Sequence, residues 1–409
     1  MLTLHGPTGP RRGESMRQLG VIEDGAILIS DGIITNVGPS RRIENLAGAR
    51  SAEEINASGR VVMPGFVDSH THLIAASPRV SEYRGSGPGE STRGRKAAQF
   101  SAEYVRRSSA AALEHQAKKI LQGFLRHGTT TAEIKSGYGL DETGELKILR
   151  AISHLSKSGV NIVSTFMAPH TPPPEFSGSL DQHVEWIRDH LLMKVRQRKT
   201  AQFVDAFCDP AGFSLEQTHA LLIAARRLGF ATKLHAENTM RMGSVRMAVE
   251  MGAVSVDGLN HADATDATVL GQSRTVGVVM PGPIYQGYSS RFAPARQLMD
   301  RGAALALASC FHPTLSSTYN MITVIALACT HMGFTPEEAI TAATINGAHA
   351  LTRSIQSGSL EFGKEADLII LGVSDYREIP YQFGVNLVSL TMRKGEIVYR
   401  EGVVACGDE

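Results

Sequence analysis

Residues 61–72 read Val61-Val62-Met63-Pro64-Gly65-Phe66-Val67-Asp68-Ser69-His70-Thr71-His72, an apolar, β-prone run with a Pro-Gly bend that ends in two imidazoles two residues apart. Side chains at i and i+2 of a strand share one face, so His70 and His72 are placed to reach one ion together. The stretch reads as a strand whose C-terminal mouth carries a metal site.

Outward from this run, which spans 66–70, seven more apolar runs follow at 129–134, 161–167, 202–207, 231–235, 254–259, 276–280 and 303–308. Helical patterns separate them. Before the second run Ala117, Ile120, Leu121, Phe124 and Leu125 fall on one face and Gly128 closes it; 219–228 and 319–332 show similar periodicity. Eight strands alternating with helices predict an α/β fold, a (β/α)8 TIM-like barrel. The first sixty residues instead alternate apolar and polar side chains, with Asp31-Gly32 marking a hairpin, and strand patterning returns over 358–371 and 387–399. The expected organisation is one half of a small β-sandwich at 1–62, a metal-binding barrel at 63–352 and the other half of the sandwich at 353–409.

Composition narrows the function. With 41 basic and 40 acidic residues the chain has no charge bias, and the cluster Arg93 to Lys96 lacks interleaved aromatics, which argues against nucleic acid as a partner. No stretch approaches membrane-spanning length, and the start lacks a leader pattern, so a soluble, cytoplasmic protein is expected. The four cysteines, Cys208, Cys310, Cys329 and Cys406, are scattered and read as thiols.

Active sites of such barrels lie at the C-terminal ends of the strands. There the first run ends in His70 and His72, the third leads into Pro169-His170, the fifth ends in His235-Ala236-Glu237-Asn238, and the eighth runs into Ser309-Cys310-Phe311-His312-Pro313. His70, His72 and His235 suffice to hold one divalent metal, Zn or Fe, with positions left over. Cys310 is either a further thiolate ligand or a buried small hydrophobe, and His312 is its rival. His170 orients substrate, moves a proton or merely caps a loop. Lys135 and Tyr138, in the glycine-rich stretch after the second run, read as substrate-binding for an anionic or amide-bearing molecule. Arg79 and Glu82 are placed either to clamp a planar polar group or to form a solvated surface pair.

These residues resemble the amidohydrolase superfamily and, within it, the imidazolonepropionase family. The likeness covers nearly the whole chain: Met63 to Leu73, Gly128-Thr129-Thr130-Thr131-Ala132-Glu133-Ile134-Lys135-Ser136-Gly137-Tyr138-Gly139-Leu140, Phe207-Cys208 and Gly358 to Leu371. The resemblance implies a barrel with a flanking sandwich, Zn or Fe on His70, His72 and His235, and substrate positions at Arg79, Tyr138 and His170. Dimers are common in that family, so a homodimer is expected by analogy.

Three catalytic positions depart from the family pattern. After the fifth-strand histidine the family reads His-Ala-Asp-Glu, whereas this chain has Asn238 in the fourth position and Glu237 one residue early. Before Leu259 the family has histidine; here stands Gly258, with His261 downstream. At the eighth strand the family reads Asp-Phe-Asn-Pro, its aspartate being ligand and proton acceptor; here the residues are Cys310-Phe311-His312-Pro313. The glycine-rich loop after Arg84 is altered as well, to Gly85-Ser86-Gly87-Pro88-Gly89.

A general base commonly contributes about 10²- to 10⁴-fold, so losing it should impair ordinary ring hydrolysis. The leading expectation is a metal-dependent enzyme acting on a small cyclic amide or imidazolone-like, carboxylate-bearing substrate. Its chemistry would be hydrolysis with a relocated base (Glu237, His261 or His312), with Asn238 able only to hydrogen-bond, or a cyclisation, elimination or rearrangement suited to biosynthesis. The alternatives are genuine imidazolonepropionase activity with a relocated base, and a catalytically silent homologue that binds a metabolite or a partner.

Overall fold

The 409-residue chain is described from a computed structural model covering residues 1–77, 91–169, 171–286 and 291–402, with the backbone alone for 91–95. In chain order its strands are β1 (Gly25–Ser30), β2 (Ile33–Pro39), β3 (Val61–Pro64), β4 (Phe66–Asp68), β5 (Thr129–Lys135), β6 (Asn161–Met167), β7 (Phe203–Asp205), β8 (Phe207–Cys208), β9 (Ala231–Ala236), β10 (Ser255–Gly258), β11 (Val276–Val279), β12 (Leu305–Leu307), β13 (Leu368–Leu371), β14 (Val388–Arg393) and β15 (Glu396–Arg400).

Eight of them pair in parallel in the order β4-β5-β6-β7-β9-β10-β11-β12, a nearly closed barrel in which each strand overlaps one of the expected apolar runs. Between β4 and β12 the gap is bridged just above the strands. Thr71 and Phe311 form an isolated parallel bridge, the His72 N–H donates to the Phe311 carbonyl at 2.7 Å, and the Asp68 carboxylate accepts from the backbone N–H and hydroxyl of Ser309.

Helices cover the barrel by burying one face. Helix Ala110–Arg126 starts where the Ser109 hydroxyl accepts the Ala112 N–H, and it buries Leu113, Ala117, Leu121, Phe124 and Leu125. Gly128, at φ +82°, turns the chain out of the helix and into β5. The expected periodic segments at 219–228 and 319–332 fall on helices Leu215–Arg227 and Met321–His331. No helix among the described residues is long and apolar enough to cross a membrane.

Both termini build the second unit. The hairpin β1-β2 turns at Asp31 and Gly32, with φ of +51° and +78°, the paired left-handed geometry that Asp-Gly favours. A four-stranded antiparallel sheet, β15-β14-β13-β3, packs Leu368, Ile370, Leu390 and Met392 against Ile34, with Ile27 and Ile29 at the edge of this core. The expected division between 62 and 63 falls inside β3, and the chain crosses into the barrel at Gly65 instead. A Cβ there would lie 2.3 Å from the Thr130 methyl carbon, so only glycine lets the two units meet this closely.

Candidate metal and substrate site

The site rests on a layer of charge inside the barrel. Strand alternation sends Glu133 and Lys135 of β5, Asp205 of β7, Lys233 of β9 and Asp257 of β10 inward, and all five side chains are fully buried. The Lys135 ammonium lies 2.5 Å from Asp205, 3.2 Å from Glu133 and 3.4 Å from Asp257. That of Lys233 lies 2.7 Å from Glu133 and donates to the Ser69 carbonyl. Burial alone would raise Asp257, but Lys233 and Lys135, with a hydrogen bond from His70, hold it well below the usual carboxylate range. Lys135 was expected to bind substrate. Its ammonium is instead sealed beneath the mouth by three carboxylates, because its place on the strand points it into the barrel.

Above this layer stand the histidines. His70 Nδ1 lies 2.7 Å from Asp257 Oδ2; the ionised carboxylate accepts a hydrogen bond from Nδ1–H, which leaves the Nε2 lone pair free. His70 Nε2 faces His72 Nε2 at 3.2 Å. Two imidazoles on one tetrahedral ion, at bonds of about 2.0–2.1 Å, stand roughly 3.3 Å apart, so the spacing fits a shared cation. The Cys310 sulfur completes this group, each pair of ligand atoms lying within 4.8 Å. His235 stands beside it, its ring 5.0 Å from that of His70 and 4.8 Å from that of Phe207. Both ring nitrogens of His235, and Nδ1 of His72, are buried without a hydrogen-bond partner among the described residues.

These donors suit a divalent cation such as Zn or Fe, and the orphaned nitrogens give the buried rings a reason to be there. Burial keeps His70 and His72 well below their ordinary value and His235 down to about 4, so their lone pairs are available at neutral pH. Burial pushes the Cys310 thiol up to about 12, so it is protonated at neutral pH and would release its proton to solvent on ligating a cation. Cys310 holds φ at +50°, an uncommon conformation for a residue with a side chain.

Tyr138 leans over the group, its ring edge-on to His72 at 5.1 Å and to His312 at 4.6 Å. The turn carrying it is held from below by Glu145, whose carboxylate accepts the backbone N–H groups of Gly137, Gly139 and Leu140. His312 was the rival ligand and a candidate base. Its Nδ1 accepts the backbone N–H groups of Thr314 and Leu315 at 3.0 and 3.2 Å, so the ring proton sits on Nε2, and that nitrogen offers no lone pair to a metal or a proton. Burial holds the ring down to about 3, which keeps it neutral.

The downstream candidates are otherwise occupied. Glu237, expected as a relocated base, is buried, and its carboxylate accepts from Met242 N–H, Ser244 N–H and the Ser244 hydroxyl, closing the loop into helix Ser244–Glu250. Asn238 accepts from the Asn260 amide at 2.9 Å. His261 is half-buried, with its backbone N–H on the Glu237 carbonyl, and burial lowers its ring. Arg79, Glu82, His170 and the loop at 85–89 lie outside the described residues. Sequence reading passed over Asp68, Asp257 and Glu145. Asp257 did carry a signal, an acid at the mouth end of an otherwise apolar run.

The model of the Amidohydrolase family matches residues 61–398. An imidazolonepropionase from Parabacteroides distasonis is 40% identical over 403 residues, 97% of this chain and 96% of that one. The imidazolonepropionase of Solibacter usitatus is 38% identical over 98% of this chain and 97% of its own. Among solved structures, an E. coli guanine deaminase superposes with a TM-score of 0.71 at 16% identity, covering 98% of each chain. A zinc-bound adenosine deaminase from Xanthomonas campestris gives 0.70 at 17%, covering 95% of this chain and 91% of that one. At such identities the two structures speak for the fold.

Proposed function

Because the chain belongs to the amidohydrolase family and matches imidazolonepropionases along its length, we propose that it is a metal-dependent enzyme acting on C–N bonds of a small cyclic amide or imidazolone-like, carboxylate-bearing substrate, with altered proton handling. The observation that carries the reading is the thiol of Cys310 grouped with the nitrogens of His70 and His72, in the position where the family pattern has an acid.

His70, His72 and Cys310, with His235 beside them, would hold a divalent cation, which would supply Lewis acidity toward a ring carbonyl or imine. The protein does the rest. Asp257 fixes the tautomer of His70, the charged layer holds Asp257 ionised, and Tyr138 walls the mouth with Glu145 behind its turn. The group of His70, His72 and Cys310 contains no carboxylate; the acids that group with His70, Glu133 and Asp257, are paired with Lys135 and Lys233 below it, and Glu237 is spent on its loop. Proton abstraction from water therefore lacks its usual acceptor, worth about 10²- to 10⁴-fold. This favours steps driven by polarisation, such as cyclisation, elimination or rearrangement, over ordinary ring hydrolysis.

The test is mass spectrometry of products from zinc- or iron-loaded protein given 4-imidazolone-5-propanoate and a panel of carboxylate-bearing cyclic amides and imines. Products isomeric with substrate, or lacking one water, support the altered chemistry. Efficient gain of one water by the imidazolone would replace it with plain imidazolonepropionase activity, and failure to take up either metal removes the metal-dependent reading.

A further inference from the structure

We propose that His312 is a built-in hydrogen-bond donor to the substrate, presenting Nε2–H to a ring carbonyl as negative charge develops on its oxygen; the role rests on the functional reading above.

The first support is the turn itself. His312 and Ser316 exchange backbone hydrogen bonds, N–H to carbonyl in both directions at 2.9 and 3.0 Å, and within that closed turn the N–H groups of Thr314 and Leu315 converge on Nδ1. Two donors on one nitrogen exclude a proton there, so the backbone holds the ring in a single tautomer without help from any other side chain.

The second is the fate of Nε2. It is buried and has no hydrogen-bond partner among the described residues. A tyrosine ring edge-on at 4.6 Å is at best a weak acceptor. A buried donor left unpaired is destabilising, so its presence at a strand-end mouth points to a partner that arrives with the ligand. The ring lies 6.0 Å from that of His72, next to the candidate cation position.

The third is charge. With two backbone N–H groups already on Nδ1, the ring carries a single proton, on Nε2, and such a neutral imidazole donates to a developing oxyanion without repelling a nearby cation, as an imidazolium or ammonium would; a donor fixed beforehand needs no reorganisation when charge appears.

The test uses full-length protein labelled with [15N]histidine, with His312 assigned by comparison with His312→Asn. The expected spectrum shows the Nε2–H tautomer in both zinc-free and zinc-loaded protein, and its signal moves when hydantoin, a small cyclic amide, is added. His312→Phe should weaken hydantoin binding roughly tenfold with zinc per chain unchanged, and His312→Asn, which keeps a donor, should weaken it less. An Nδ1–H tautomer, loss of the Nε2 proton on zinc loading, or hydantoin shifting His72 but not His312 would each overturn the donor role alone. No zinc uptake, or hydantoin moving no histidine signal, would overturn the functional reading and the donor role with it.

Discussion

His70 Nδ1 and Asp257 Oδ2 lie 2.7 Å apart although 187 residues separate them in the chain, and neither side chain is exposed. The pair couples the candidate metal group to the charged interior. In Asp257→Asn an amide replaces the ionised acceptor, the tautomer of His70 is no longer enforced, and Lys135 and Lys233 lose a shared partner. Zinc affinity should fall roughly 10- to 100-fold, read by competition with a chromophoric chelator. Unchanged affinity would mean that the carboxylate serves the barrel and not the ligand.

Cys310 makes two separable predictions. Cobalt-substituted protein should show a thiolate-to-metal charge-transfer band that Cys310→Ala lacks; identical spectra would assign the thiol to packing. Its φ of +50° suits glycine better than alanine. Cys310→Gly should therefore be more stable than Cys310→Ala by about 1 kcal/mol in chemical denaturation, although both lack sulfur.

Gly258 shows why a family residue cannot simply be put back. At φ +105° a Cβ would lie 2.8 Å from the Ala236 carbonyl oxygen and 3.2 Å from Cδ2 of His235, so the His235 ring occupies the room a side chain would need. Gly258→His should destabilise the protein by roughly 1–3 kcal/mol and reduce zinc per chain. A stable variant with full or increased zinc content would show that His235 can swing clear.

Acid should act on the metal-free protein through His235. Burial holds its folded value down to about 4, with Asp257 opposing and Lys135 reinforcing, whereas the unfolded chain titrates near 6.5. Between these values the unfolded state binds the extra proton, so the stability present above pH 6.5 is lost as pH falls toward 4. Urea denaturation of metal-free protein over this window should give a wild-type stability that falls more steeply than that of His235→Gln, by the slope of one proton. Parallel curves would place His235 in a solvated setting.

The barrel was legible because its signals are local. Every β4-to-β12 barrel strand was announced by a short apolar run, helix Ala110–Arg126 by its periodic face, and the hairpin by Asp31-Gly32. The pair His70 and His72 was legible from its two-residue spacing, although β4 ends at Asp68 and both histidines lie just beyond it, flanking Thr71 in its bridge to Phe311. Lys135 and Glu237 misled because residue type and nearness to the mouth do not reveal the partner. Lys135 follows its strand inward onto Asp205, and Glu237 folds back onto the backbone five and seven residues on.

From the sequence alone came the repeating unit, the candidate ligands and the departures at Asn238, Gly258 and Cys310, because strand alternation, helical period and residue chemistry act over a few neighbours. Tertiary structure alone decided which polar groups are spent and which are left over. Asp257 meets His70, Glu145 gathers the Tyr138 turn, and the backbone after His312 claims its Nδ1 while leaving Nε2 without a partner among the described residues. In a buried site a donor or acceptor has a few places at most, and what remains for a metal or a substrate is known only when every neighbour has taken its share.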